Sequence, residues 1–277
     1  MQKHLIEDIE VTLLLESIFQ RYGYDFRNYA KGSIKRRVYN LLQKTGHHEI
    51  SELIPRLLYD EVFFGSVLSH FSIPVTEMFR DPSFFTELRR QVFPILKNYP
   101  FLKIWHAGCA TGEEVYSVAI FLAESGLYER TTIFATDFND EVLRRAKKAS
   151  YSLKNLPTFA KNYELAGGFV DFSQYYRVEN ETMVINDALR ENITFANHNL
   201  VTDGVFGEMH LIFCRNVLIY FDKTLQNRVL DLLARSLIDA GFLCLGNKES
   251  LIFSSIVKDF KEMDGKERIY QKIVDVA

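Results

Sequence analysis

Two glycines and two acids within thirty residues have the types and spacing to hold a nucleotide-like ligand. The run HAGCATGEEVYSVAI places Gly108 and Gly112 around a short turn that feeds a helical pattern. Glycine lets a backbone come close to a ligand, and N–H groups at a helix N-terminus hold anions. The spacing is not G-x-G-x-x-G, and no lysine follows Gly112, which excludes a phosphate loop. A glycine turn of this kind suits the methionine part of S-adenosylmethionine, which carries a carboxylate. The next apolar run, TTIFATD, ends in Asp137. A carboxylate at the carboxyl end of a strand can accept two hydrogen bonds from ribose hydroxyls. Glu114 could meet the α-ammonium of the same ligand. Each acid also has a purely structural reading: Glu114 as a favourable charge in a first helical turn, Asp137 as a helix N-cap. Singly, the two kinds of reading weigh the same. The strand–turn–helix–strand order favours the cofactor.

The elements that must position these residues follow from hydrophobic periodicity. The first seventy or so residues show helical spacing. LLLESIFQRYGYDF is interrupted by Gly23, and GSIKRRVYNLLQKTG has Ser33 as a candidate cap and ends at Gly46. SELIPRLLYDEVFFGSVLSHF supplies one or two more helices. From about residue 100 the runs FLKIWHAG, TTIFATD, NITFANHNL, MHLIFCRN and GFLCLGN read as buried strands. EEVYSVAIFLAES, DEVLRRAKKAS and KTLQNRVLDLLARSLIDAG read as helices between them. That alternation predicts an α/β fold with a doubly wound, mostly parallel sheet. ERIYQKIV is a last strand that could return antiparallel. The aromatic and β-branched stretch GGFVDFSQYYRVENETMVIN predicts a small antiparallel β insertion. The expected division is a helical N-terminal domain over 1–75, a linker helix over 76–100, and a ligand-binding domain over 101–277 with the insertion at about 160–190.

Composition narrows the classes. Of 277 residues, 47% are hydrophobic and 25% charged, as in an ordinary folded cytoplasmic protein, and the net charge of −3 argues against a nucleic-acid binder. The N-terminus MQKHLIEDIE carries acids where a secretory signal needs an apolar core, and no apolar run is long enough to span a bilayer. Cys109, Cys214 and Cys244 form no C-x-x-C pair, so buried thiols are expected rather than a disulfide framework or a metal site. A cytoplasmic monomer without metal fits these features.

Several motifs, in order, resemble the CheR family of chemoreceptor glutamate O-methyltransferases. HAGCATGEEVYSVAI is similar to that family's S-adenosylmethionine loop, FATDFNDEVLRRA to its second cofactor motif, and FANHNL to its Asn-Leu segment. IFCRNVLIYFDK matches the R-N-V-x-I-Y-F block, and IPVTEMFRDPSFF resembles the T-x-x-F-R segment. The likeness covers nearly the whole chain. It implies a Rossmann-like methyltransferase fold, S-adenosylmethionine as methyl donor and S-adenosylhomocysteine as product. It implies that Thr76, Arg80, Glu114, Asp137, Asn199, Leu200, Arg215 and Asn216 surround the cofactor, with Arg80 and Tyr220 near the transfer centre. Pro74 departs from the pattern, standing where many members carry asparagine; proline has neither an N–H nor a side-chain amide. The acceptor would be glutamates on the cytoplasmic helices of a chemoreceptor. The acid-free segment holding Lys35, Arg36 and Arg37 would dock that acidic partner, a solvated helix face being the alternative. After Gly167–Gly168 no further spaced glycines follow, which suggests independence from a receptor's C-terminal tether. A related enzyme acting on another carboxylate or a small molecule, or a non-catalytic sensor of the cofactor, are the competing readings.

Overall fold

The computed structural model describes residues 2–72 and 76–274; Pro74 lies outside them. The chain forms two compact units. One is Met1–Ile73 with Leu218–Val229, the other Pro74–Val217 with Leu230–Ala277.

The first unit is helical. α1 (Gln2–Tyr22) stops at Gly23, whose φ of +77° is left-handed and whose N–H returns to the Phe19 carbonyl. α2 (Lys31–Thr45) closes at Gly46 in the same conformation. Its start differs from expectation: Ala30 is the N-cap position, with no side-chain cap, and Ser33 lies inside the first turn. α2 buries Ile34, Arg37, Val38, Leu41 and Leu42, one face of a 3.6-residue period. α3 (Leu53–Tyr59) leads into α4 (Glu61–Phe71), where the Asp60 carboxylate accepts the Phe63 N–H at 2.9 Å. Late in the sequence the chain returns to this unit. Phe221 forms a β-bridge with Tyr29, their rings edge to face at 4.9 Å, and Ala30 N–H donates to the Tyr220 carbonyl at 2.9 Å.

The second unit opens with α5 (Pro82–Glu87), a π-helical turn at Leu88–Val92 and α6 (Phe93–Leu96). The T-x-x-F-R segment, expected on a linker helix, stands ahead of α5. Its path is too contorted for a helix, with Phe79 and Asp81 both at positive φ. Then follow β1 (Leu102–Ala107), α7 (Glu113–Glu124), β2 (Thr131–Asp137) and α8 (Asp140–Lys148). β3 (Ser150–Ser152), α9 (Leu156–Leu165), β4 (Tyr176–Glu179) and β5 (Thr182–Ile185) come next, then β6 (Ile193–Asn197) and β7 (Met209–Cys214). α10 (Lys223–Arg235) belongs to the helical unit as far as Val229 and to the second unit from Leu230, and β8 (Leu237–Leu245), β9 (Phe260–Asp264) and β10 (Ile269–Lys272) complete the second unit.

The main sheet has the order β6-β2-β1-β7-β8-β10-β9. β6, β2, β1, β7 and β8 are parallel, and β10 and β9 run antiparallel at one edge. β7 is buried at every residue, as a strand covered on both faces must be. The order reverses between β1 and β7, so a ligand crevice is expected outside their carboxyl ends.

Three boundaries depart from expectation. The last predicted helix ends at Arg235, and the apolar run after Ser236 becomes β8, with Ala240 at φ +59°. β9 was not foreseen. The antiparallel insertion reaches back to residue 150, because its three-stranded sheet has the order β3-β5-β4 and recruits β3.

Candidate functional site

The carboxyl ends of β1, β2, β6 and β7 carry most of the residues marked out by sequence. After β1, the Gly108 and Cys109 N–H groups both donate to the Thr136 carbonyl at 2.8 Å, pinning the turn against β2. Gly108, Ala110 and Gly112 all have positive φ. A Cβ at Gly108 would stand 2.7 Å from Val217, and one at Gly112 would stand 3.1 Å from Ala146. The glycines therefore answer to close protein packing in the turn itself, a demand not visible in their spacing. Tyr151 Oη donates to the Thr111 carbonyl at 2.9 Å and fixes the turn from the insertion side.

Asp137 closes β2 and is buried. One carboxylate oxygen accepts the Ala110 N–H and the other the Asn139 N–H, each at 3.1 Å. It is not the N-cap of α8; Asn139 is, accepting the Glu141 N–H at 2.9 Å. Burial pushes the Asp137 carboxyl up to about 6, against the pull of the Asn139 and Ala110 N–H groups. Glu113, also buried, is pushed up to about 7 by desolvation, although the Thr111 hydroxyl donates to it at 2.7 Å.

Glu114 lies in an ion cluster. Arg215, at the end of β7, reaches Glu114 Oε2 at 2.7 Å with Nη1 and Asp81 Oδ2 at 2.8 Å with Nη2. The Arg215 side chain is 2% exposed and its guanidinium covers the Phe84 ring at 3.8 Å. Burial raises the Glu114 carboxyl, but Arg215 and His106 outweigh it and hold the group below its ordinary value. Asp81 was not singled out by sequence; its neighbourhood to Arg80 is the only signal that could have found it.

Arg80 is half-buried between the two positive-φ residues Phe79 and Asp81. The Phe79 N–H donates to Ser117 Oγ on α7 at 2.9 Å, and the Met78 carbonyl accepts from Asn162 at 3.1 Å. Strained backbone held at both ends is a frequent mark of functional segments. Thr76 is half-buried just before it.

After β6, the Asn199 carboxamide oxygen accepts the Val201 N–H at 3.0 Å and its own N–H donates to Asp203 at 2.8 Å; Leu200 is buried. After β7, Asn216 takes φ +60°, and its N–H donates to Glu249 at 2.9 Å. Glu249, missed by sequence, is a buried acid in the turn after β8 that also accepts the Gly246 N–H at 2.6 Å.

Tyr220 closes a short 3₁₀ turn, Leu218–Tyr220, and belongs to the helical unit, where the Arg37 guanidinium covers its ring at 5.0 Å. The docking role expected of Arg37 needs correction. Arg37 is buried and its Nη1 donates to the Phe71 carbonyl at the end of α4. It therefore cannot dock a partner. Lys35 is half-buried and paired with Asp8, whereas Arg36, Lys31 and Lys44 are exposed. All three cysteines are free and buried. Among the described residues no helix is long and apolar enough to cross a membrane.

The chain is similar in sequence to known proteins. A family model described as CheR methyltransferase, SAM binding domain, matches residues 74–269, and one described as CheR methyltransferase, all-alpha domain, matches residues 9–72. A Pseudomonas putida protein provisionally named methyltransferase Cher3 is 48% identical over 96% of this chain and 97% of its own length. A chemotaxis protein methyltransferase of Listeria monocytogenes is 30% identical over 90% of this chain and 93% of its own. One of the same name from Salmonella typhimurium is 27% identical over 94% and 89%.

Proposed function

The chain belongs to the CheR family of S-adenosylmethionine-dependent methyltransferases, and on that premise we propose that its acceptors are glutamate side chains on the cytoplasmic helices of a chemoreceptor. The observation that carries the reading is the gathering of Glu114, Asp137 and Arg215 at the carboxyl ends of β1, β2 and β7. Glu114 and Asp81 set two carboxylates against the single guanidinium of Arg215. That net negative cluster suits a ligand bearing an ammonium and a sulfonium. S-adenosylmethionine supplies a methyl group already activated by its positive sulfur.

The roles proposed for the chain's residues follow. Asp137 accepts from the ribose hydroxyls and Glu114 from the α-ammonium. In the Gly108–Gly112 turn the N–H groups of Gly108, Cys109, Ala110 and Gly112 already donate to Thr136, Asp137 and Cys109, so the proposed donor to the ligand carboxylate is the Thr111 N–H just before α7. Thr76, Asn199, Leu200, Arg215 and Asn216 shape the surrounding walls. The acceptor glutamate has an ordinary pKa of about 4.3 and is already an anion at neutral pH, so no general base is required. What remains is alignment, which supplies several kcal/mol of a barrier, on the order of 7–11 in the best intramolecular models. Arg80 and Tyr220 are the proposed positioners of the acceptor.

The exposed cations Lys31, Arg36 and Lys44 of α2 support an acidic helical partner. The insertion's β4–β5 hairpin turns on only Asn180 and Glu181, both at positive φ, as a tight two-residue turn requires. This short tip supports a chain that does not grip a receptor tether.

The test is incubation with methyl-labelled S-adenosylmethionine and receptor cytoplasmic fragments, with and without their C-terminal tails. Label on the receptor that alkali releases as methanol supports a glutamate ester. A base-stable product would point to nitrogen methylation and defeat the acceptor assignment. Label on small acids but on no receptor fragment would move the acceptor to another carboxylate.

A further inference from the structure

Next to Glu114 stands a histidine to which no motif gives a role. His106 lies on β1, 1% exposed, with its ring stacked on Phe213 of β7 at 4.4 Å and 7°. Its Nδ1 is 3.3 Å from Glu114 Oε1, at the long end of the hydrogen-bond range, while Arg215 holds Oε2 at 2.7 Å. Nε2 is buried and has no hydrogen-bond partner among the described residues.

These contacts fix the tautomer. With the proton on Nδ1, the imidazole donates to Glu114 and leaves one buried lone pair unmatched. With the proton on Nε2, a buried N–H lacks an acceptor and a lone pair faces the carboxylate. The second arrangement carries two penalties, so the neutral ring holds its proton on Nδ1.

We propose that His106 is a positioning residue for the methyl donor, acting through Glu114. The inference rests on the reading that Glu114 receives the donor's α-ammonium. A carboxylate held by Arg215 alone can turn about its terminal bond. Held at both oxygens, it keeps a fixed plane and directs its remaining lone pairs outward. Glu114 is 20% exposed on its side chain and can be reached by a ligand; His106 cannot.

Binding of two ligands separates this role from plain core packing. S-adenosylhomocysteine carries the amino-acid part, and 5′-methylthioadenosine shares the adenosine and sulfur but lacks it. His106→Leu should weaken S-adenosylhomocysteine by about tenfold, the worth of a charge-assisted hydrogen bond, and leave 5′-methylthioadenosine within about twofold. His106→Asn, which keeps an N–H donor near the Nδ1 position, should recover most of the loss. Equal weakening of both ligands, or no weakening of either, would overturn the proposal. Nitrogen NMR of the wild-type imidazoles needs no variant. It should show His106 protonated at Nδ1, with that resonance moving on S-adenosylhomocysteine and not on 5′-methylthioadenosine. A ring protonated at Nε2 would overturn the proposal even if the leucine variant fails to fold. If neither ligand binds the wild-type protein, the cofactor reading of the whole crevice falls, and this inference with it.

Discussion

At the scale of single residues, Asp137 shows how one carboxylate serves both architecture and the proposed ligand. It ties the Ala110 and Asn139 N–H groups together and is pushed up to about 6 by its burial. A ribose hydroxyl donates best to the ionised form. Lowering pH through about 6 adds a proton that binding must displace, so affinity for S-adenosylhomocysteine should fall as pH drops from 7 to 5. Asp137→Ala should lose roughly 1.5–3 kcal/mol of binding and the pH dependence assigned to this carboxyl. Calorimetry across that pH range checks both; an unchanged affinity in the variant would make Asp137 a loop tie only. Asp137 could be found from sequence because it ends a strand. His106 and Asp81 could not. A histidine inside an apolar strand looks like core, and an acid before Pro82 looks like a helix start. Their importance arises only when Arg215, 134 positions from Asp81, joins that acid to Glu114, whose other oxygen faces His106.

At the scale of elements, α2 separates two arginines that look alike in sequence. Arg36 and Arg37 are neighbours, yet the 3.6-residue period turns the first to solvent and the second into the unit. Arg37→Glu would set a buried carboxylate against the Phe71 carbonyl and remove the cation over Tyr220. It should cost about 3–5 kcal/mol of stability, the usual penalty of an uncompensated buried charge. Arg36→Glu should keep the melting temperature, since exposed substitutions stay within about 0.5 kcal/mol. The same change should raise the Michaelis constant for a receptor fragment, with no effect on S-adenosylhomocysteine affinity. Thermal melts and steady-state kinetics of the two variants decide this; a collapse of Arg36→Glu would deny it a docking role. The same logic explains the misjudged boundaries. The pattern LLARSLIDAGFLCL stays apolar across the joint between α10 and β8, with no proline to mark it. β9, with exposed Lys261 and Glu262 at the sheet's edge, offers no apolar run to notice. β1, β2, β7 and β8 were readable because their burial leaves long apolar stretches, whereas β6, an edge strand with no buried residue, was readable from its β-branched and aromatic residues.

At the scale of the whole molecule, the helical unit is discontinuous. The family models divide the chain at a single point, between residues 72 and 74. The packing assigns Leu218–Val229 to the helical side as well. Leu218, Phe221, Leu225 and Val229 are all buried. Burying one such large side chain is worth about 1.5–3 kcal/mol. A fragment of residues 1–73 should therefore melt well below the intact protein, and a synthetic peptide spanning 218–229 should raise its melting temperature when added in excess. Circular dichroism melts with and without the peptide test this. No response would mean that the helices are self-sufficient.

The split unit also bears on how such proteins can be recombined. A gene segment ending near codon 73 looks like a portable cassette, because the sequence families break there. It is not one. The partner of Tyr29 and Ala30 is encoded some 190 codons downstream, in the stretch that directly follows Arg215 and Asn216. Any exchange of receptor preference between relatives by shuffling the N-terminal segment would import helices shaped for another protein's 218–229 stretch. Chimaeras that carry both pieces from one parent should outlast those that carry only the first. Tyr29 meets Phe221 and Arg37 covers Tyr220, so any single crossover between the two stretches of gene parts a side chain from its partner.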